Sequence, residues 1–205
     1  MEGMTFLYTA TESFDQTTTF NAERFCSGPS CHPDAVLSWE GYIKWSKLTH
    51  VVEIVSLDGI LNQSLVEPDY NKVEDWDFIH TAGRYQTNLY KCLDYVLRRS
   101  KPKNKFNLLT VIINPLQDCH DIQVEDNEFM GYDLLDQEFG NSALTNCGGF
   151  DESFLPADLN GYGLIDEYNK AYAIRKRLVT NNPLEHHAHT NVIAVWRHKL
   201  LGRKE

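Results

Sequence analysis

The densest group of side chains that could bind a metal or move a proton lies near the end of the sequence. Glu185, His186, His187 and His189 fall there within five residues. Imidazole nitrogens bind zinc and related metals, and three protein ligands beside an open position are the arrangement of catalytic zinc sites. On a strand, His187 and His189 would project from one face. The pattern suggests a divalent metal site, and a polar loop is the competing interpretation.

A second candidate is nucleophilic chemistry at Cys147. This cysteine lies in the sequence from Asn146 to Gly149, where two adjacent glycines predict a tight turn. Backbone N–H groups in such a turn could stabilise an oxyanion, and His187 or His189 could act as the base. An enzyme with a Cys/His-based or metal-assisted hydrolytic site is therefore one alternative function. A small residue in a turn is the competing interpretation.

Residues 158–169 resemble an EF-hand calcium loop. Asp158 and Asn160 hold the first and third positions, Gly163 the sixth and Asp166 the ninth. The fifth and twelfth positions carry tyrosine and asparagine, although such loops have an oxygen ligand at the fifth and a bidentate Glu at the twelfth. Calcium binding through Asp158, Asn160 and Asp166 is a second alternative, and a turn that caps the next helix competes with it.

The five cysteines form no recognisable disulfide framework. No basic segment followed by an apolar one precedes the first of them, so we expect reduced thiols and a cytoplasmic location. Two short groups combine further potential metal ligands: Cys26, Cys31 and His32, and Cys119, His120 and Asp121. No glycine-rich phosphate-binding motif is present, so no cofactor is expected beyond a possible divalent metal, calcium or zinc.

The charge of the chain is strongly segregated. Residues 106–169 contain 13 Asp or Glu and no Lys or Arg, whereas the whole chain has a net charge of −10. The rest of the chain is therefore slightly basic. We predict that the acidic segment contacts a partner through the following residues: Asp118, Asp121, Glu125, Asp126, Glu128, Asp133, Asp136 and Glu138.

A field of unopposed carboxylates attracts a cationic protein and accelerates the encounter. The sequence therefore favours a soluble acidic binding protein with a basic protein partner, comparable by analogy with acidic inhibitors and immunity proteins of basic nucleases. A solvated acidic face is the competing interpretation. The negative charge disfavours nucleic acid, and the apolar runs fall well short of the roughly 18 residues that cross a membrane.

Hydrophobic periodicity predicts the elements that position these residues. Apolar residues at helical spacing predict helices over 33–47, 84–99 and 163–181. Apolar and β-branched runs predict strands over 6–10, 17–20, 50–57, 106–114, 122–124, 129–135 and 190–198. Asp58 and Gly59 are a typical hairpin turn, which predicts that residues 60–66 return antiparallel to 50–57.

An apolar fraction of 42% with 24 aromatic residues is sufficient for a packed core and argues against disorder. Helices and strands alternate irregularly, and the Asp58–Gly59 turn adds a hairpin. We therefore predict one α+β or mixed α/β domain spanning 1–205, with helices packed on one mixed or antiparallel sheet.

Overall fold

The structure of the chain is a computed structural model. It describes residues 4–18, 38–46, 48–59, 61–66, 78–79, 88–101, 105–145 and 153–199. Cys26, Cys31, His32 and Cys147 lie outside the described residues, so the hypotheses that involve them stay predictions.

The fold is α+β, as the sequence predicts. The strands are β1 (Leu7–Glu12), β2 (Phe14–Asp15), β3 (Glu53–Ile54), β4 (Phe78–Ile79), β5 (Leu89–Tyr90), β6 (Phe106–Ile113), β7 (Asn127–Asp136) and β8 (Thr190–His198). Six of them form an antiparallel sheet in the order β4-β5-β1-β6-β8-β7, and β2 pairs with β3. The described helices are α1 (Trp39–Ser46), α2 (Leu93–Arg99) and α3 (Tyr168–Asn181).

Both faces of the sheet centre are covered, which explains why β6 and β8 are almost uninterrupted apolar runs. On one face, Ala171, Ile174 and Leu178 of α3 share a buried cluster with alternate residues of β8. On the other face, Val55 and Leu57 belong to a second buried cluster that contains the intervening residues of β6 and β8. Burial of these side chains is the main stabilising contribution to the fold.

The edge strand β7 contains a bulge. Phe129 pairs with Trp196 and Gly131 with Val195, so Met130 is an extra residue in the ladder. A bulge shifts the alternation of side chains by one position. Regular alternation over the predicted strand 129–135 would place Phe129 and Tyr132 on opposite faces, but their rings lie 5.2 Å apart and pack in the same cluster. The bulge therefore interrupts the alternation of side chains along β7.

The turn of residues 160–165 covers the outer edge of β7. Tyr132 and Ile165 exchange two backbone hydrogen bonds, of 2.7 and 3.0 Å. The Asn160 amide donates to the Met130 carbonyl at 2.8 Å, and its oxygen accepts the N–H groups of Tyr162 and Leu164. These contacts take Leu164 and Ile165 out of helical geometry, so α3 begins at Tyr168 and not near residue 163.

Four other predicted elements differ in the structure. Residues 61–66 do not return along 50–57, because the Asp58 carbonyl accepts the Asn62 N–H and closes a helical turn. The segment then follows β1, where Leu65 donates to the Ala10 carbonyl. Leu89 and Tyr90 form a strand and not the start of a helix. Residues 122–124 form a loop, and residues 17–18 a turn.

No helix within the described ranges is long and apolar enough to cross a membrane.

Gly131 is the point of closest approach between β7 and the 160–165 turn. Its φ is +128°, and a Cβ there would lie 2.8 Å from the Ile165 carbonyl oxygen. We therefore expect Gly131→Ala to lower the free energy of unfolding by about 2–3 kcal/mol, because it adds backbone strain and a clash. Chemical denaturation measures this loss. Gly161→Ala is the control, since its nearest neighbour would be 3.9 Å away, and equal losses in both variants would contradict the prediction.

Candidate functional site

The connection between β6 and β7 is a 13-residue stretch without helix or strand, and we call residues 114–126 the acidic loop. Four of its side chains are carboxylates, and all four are exposed: Asp118, Asp121, Glu125 and Asp126. Leu116 in the same loop is 93% exposed. Loops of this length that lack regular structure are typically functional or disordered. Its hydrogen bonds show whether it is ordered.

Tyrosines of helix α3 hold the first part of the acidic loop. Tyr172 donates its hydroxyl to the Pro115 carbonyl at 2.7 Å, and Tyr168 donates to the same oxygen at 3.2 Å. Burial raises the pKa of Tyr172 to about 12, so its hydroxyl remains a donor at neutral pH. The helix therefore fixes the place where the loop leaves β6.

Two side chains of the sheet hold the middle of the acidic loop. The Cys119 N–H donates to the hydroxyl of Tyr132 at 2.7 Å, and that hydroxyl donates to Asp118 at 2.8 Å. Trp196 donates its indole N–H to the Ile122 carbonyl at 3.3 Å. The loop is thus ordered by aromatic side chains of β7, β8 and α3.

These hydrogen bonds and the burial of the loop shift the pKa values of Asp118 and Cys119. The His120 N–H and then the Tyr132 hydroxyl, both donating to Asp118, lower the pKa of that carboxyl. Burial raises the pKa of the Cys119 thiol to about 11. Among the described residues, the potential ligand atoms of Cys119, His120 and Asp121 do not converge on one point, so the geometry does not support this group as a metal site.

The carboxylates of the acidic loop have no cationic partner in the part of the chain that the structure describes. Across the described ranges, no Lys or Arg lies within 4 Å of any of the four. The other predicted contact residues differ. Glu128 lies 2.9 Å from Arg197, and Glu138 lies 3.3 Å from His186. Of the eight predicted contact residues, the four in the loop are therefore exposed carboxylates without a paired cation in the described ranges.

Asp133 and Asp136 correct the predicted contact surface, because both are buried. Asp133 is 0% exposed and accepts the Ser142 hydroxyl and the N–H groups of Leu57 and Leu134. Burial raises the pKa of Asp133, although these hydrogen bonds oppose the shift. Asp136 is 1% exposed. Neither carboxylate is available to a protein partner.

Asp136 instead faces His187, which the sequence analysis names as a candidate metal ligand and base. Its Oδ2 lies 3.3 Å from Nδ1 of His187, in the short turn after α3. Burial opposes the charge on Asp136, but hydrogen bonds from His187 and the Gly140 N–H lower its pKa, and the Asp136 bond raises the pKa of His187. The side chain of His186 lies beside this pair. We call Asp136, His186 and His187 the His–Asp centre.

His189 does not join this centre. Its Nε2 lies 3.1 Å from the Pro183 carbonyl, so it holds the turn that follows α3. Of the two histidines predicted as the base, His187 has a carboxylate partner and His189 has a backbone carbonyl partner, and both roles stay predictions. Cys147 stays a prediction as the nucleophile.

The turn that resembles a calcium loop uses its oxygens for its own fold. Asp158 pairs with Lys170 at 2.9 Å and accepts the Leu155 N–H. The oxygen of Asn160 accepts two backbone N–H groups, and the Asn160 amide donates to Asp166 at 2.7 Å. Calcium binding by Asp158, Asn160 and Asp166 therefore stays a prediction without geometric support.

A cavity of about 460 Å³ adjoins the small sheet, and sequence reasoning missed it. Its lining includes Asp15, Glu53, Lys105, Tyr162 and Arg197. The charges in it pair with one another: Lys105 lies 2.7 Å from Asp15, and Arg197 lies 2.9 Å from Glu53. The sequence did contain one signal of this ionic cavity, which is the position of Arg197 within the largely apolar strand β8.

Arg197 connects the two parts of this ionic network. It is 3% exposed, donates to Glu53 and Glu128, and lies 4.8 Å from the ring centre of Tyr162. Burial opposes the charge on Arg197, but its hydrogen bonds to Glu128 and the charge of Glu53 raise its pKa. The network therefore attaches the β2–β3 pair to the main sheet.

No known protein family, curated protein or solved structure matches the chain. The functional inference therefore depends on the chemistry of these residues.

Removal of Arg197 should leave the buried Glu53 with Lys105, 3.8 Å away, as its remaining cation among the described residues. We expect Arg197→Met to lower the free energy of unfolding by about 3 kcal/mol, as is typical when one partner of a buried ion pair is lost. Chemical denaturation measures the effect. The double variant with Glu53→Gln should lose less than the sum of the two single variants; strict additivity would show that the pair does not interact.

Asp15 should contribute to acid sensitivity. Burial opposes its ionisation, but hydrogen bonds from Lys105 and Thr17 lower its pKa below the ordinary 3.8. A lowered folded-state pKa stabilises the protein above the unfolded-state value, and this stability is lost as pH falls through the folded-state value. In denaturation series below pH 5, Asp15→Asn should therefore lose less stability on acidification than the native chain. Parallel pH curves would contradict this assignment.

Proposed function

We propose that this protein recognises a cationic protein partner through the acidic loop. The observation that carries the proposal is the concentration of four exposed carboxylates without a described salt-bridge partner in one ordered 13-residue loop. Carboxylates at a rim steer diffusional encounter with a basic surface, and their effect falls with ionic strength.

The order of the acidic loop supports the same function. A mobile loop loses conformational entropy when it binds, and this loss weakens the complex. Here four aromatic side chains hold the loop at three points, Pro115, Cys119 and Ile122, before any partner arrives. The loop can therefore bind with little rearrangement.

Leu116 provides an apolar contact within the charged surface. Interfaces combine an apolar centre with a polar rim, and Leu116 is 93% exposed among the carboxylates of the loop. The two kinds of residue should affect different rates. Carboxylates govern association, whereas a buried apolar contact governs dissociation.

Charge reversal tests the electrostatic part. Asp121→Lys with Glu125→Lys changes two exposed side chains that have no described hydrogen-bond partner. Affinity capture from the source cell at low and high salt, followed by purification of a basic captured protein, supplies the partner. We expect the double variant to associate at least about tenfold more slowly and with a weaker salt dependence.

The matched control is Glu40→Lys with Asp94→Lys, which makes the same change in net charge at exposed helical positions. It should leave the association rate nearly unchanged. Leu116→Ala should raise the dissociation rate and leave association intact. Equal effects of the two charge-reversed variants would mean that net charge matters and the loop does not, and the proposal would then be wrong. Thermal melts establish that each variant is folded.

A further inference from the structure

The His–Asp centre has the composition and spacing of a metal site. The ligand atoms of Asp136, His186 and His187 all lie within 4.8 Å of one another. Two imidazoles and a carboxylate are the ligands that zinc, cobalt and related ions take in proteins. The three residues come from two segments, the end of β7 and the turn after α3, which the fold brings together.

The carboxylate of this centre is held in place by the protein. Oδ1 of Asp136 accepts the Gly140 N–H at 2.8 Å, and Oδ2 accepts the N–H and the side-chain amide of Asn141 at 3.2 Å. Hydrogen bonds to a metal-binding carboxylate orient it and are a regular feature of metal sites. Asp136 is therefore fixed with Oδ2 directed at His187.

The spacing of the side chains fits a common ion. Ligand atoms of a tetrahedral site with bonds of about 2.1 Å are roughly 3.4 Å apart, and Asp136 Oδ2 lies 3.3 Å from His187 Nδ1. Two imidazoles on such an ion have ring centres roughly 5 Å apart. The rings of His186 and His187 are 5.0 Å apart and nearly perpendicular. Both distances are compatible with binding after only small movements.

Thr190 supplies an independent observation beside the centre. It pairs directly with Asp136 across β7 and β8, so both side chains are on the same face of the sheet. Its hydroxyl is buried and has no hydrogen-bond partner in the described part of the chain. A buried hydroxyl is normally bonded, so this oxygen is available to a group bound next to Asp136.

We propose that Asp136, His186 and His187 bind one divalent transition-metal ion of the zinc and cobalt class. Asp136 contributes Oδ2 and His187 contributes Nδ1. Three protein ligands leave a coordination position for water or another small ligand. The exposed Glu138, 3.3 Å from His186, is close enough to orient that histidine.

This site is separate from the acidic loop. The ten-residue strand β7 has the loop at its beginning and Asp136 at its end, about 30 Å apart at the rise of an extended strand. Failure of one proposal therefore does not imply failure of the other. The variant with Asp121→Lys and Glu125→Lys should bind zinc as the native chain does.

Titration of chelator-treated protein with zinc chloride in a calorimeter tests the site. We expect one ion per chain. His186→Ala and His187→Ala change partly exposed side chains, and each should weaken zinc binding at least about tenfold. Cobalt chloride should give the visible absorption of nitrogen and oxygen coordination. Asp136→Asn should also weaken binding, provided that its thermal melt shows a folded protein.

His120→Ala and His189→Ala are the matched controls, because each removes a histidine outside the centre. Both should retain native zinc affinity. Three outcomes would overturn the proposal: no stoichiometric binding by the native chain, equal affinity in all four histidine variants, or a thiolate charge-transfer band with cobalt, which would place the ion on a cysteine.

Discussion

Close packing of the 160–165 turn against β7 is the constraint on which the rest of the structure depends. Gly131 allows the two backbones to approach, and the Asn160 side chain uses both its oxygen and its amide at the contact. An edge strand presents unpaired backbone groups that must be covered. Here the cover is part of the same chain, and the covered strand has the acidic loop at one end and the His–Asp centre at the other.

Folding separates the acidic residues into classes that are indistinguishable along the sequence. Asp133 and Asp136 are buried and serve as hydrogen-bond acceptors for the protein. Glu128 belongs to the Arg197 network. The four carboxylates of the acidic loop are exposed and have no paired cation in the described ranges, a combination that Asp166 and Glu167 share further along the segment. A charge pattern therefore predicts a surface only after the bulge and the burial of each strand position are known.

The sequence predicted the central strands and the end of α3 because their signals are local. β6 and β8 are apolar runs that can be recognised without knowing which strands pair with them. Asn182, which the sequence analysis places just after the helix, directly follows the last residue of α3. Leu89 and Tyr90 were misassigned because their strand conformation depends on pairing with β1, which is distant in sequence. The pairing of Asp136 with His187 bridges 51 positions, and no local pattern in one sequence encodes such a contact.

The aromatic anchors of the acidic loop also contribute to the core. Tyr132 and Trp196 are buried in the main cluster, and Tyr168 and Tyr172 pack against it. The loop therefore cannot detach as a separate flap, since release of its carbonyl and N–H groups would require these rings to leave their packing. It belongs to the same cooperative unfolding unit as the sheet, so a protease that cuts only opened chain should find this exposed segment resistant until the whole domain unfolds.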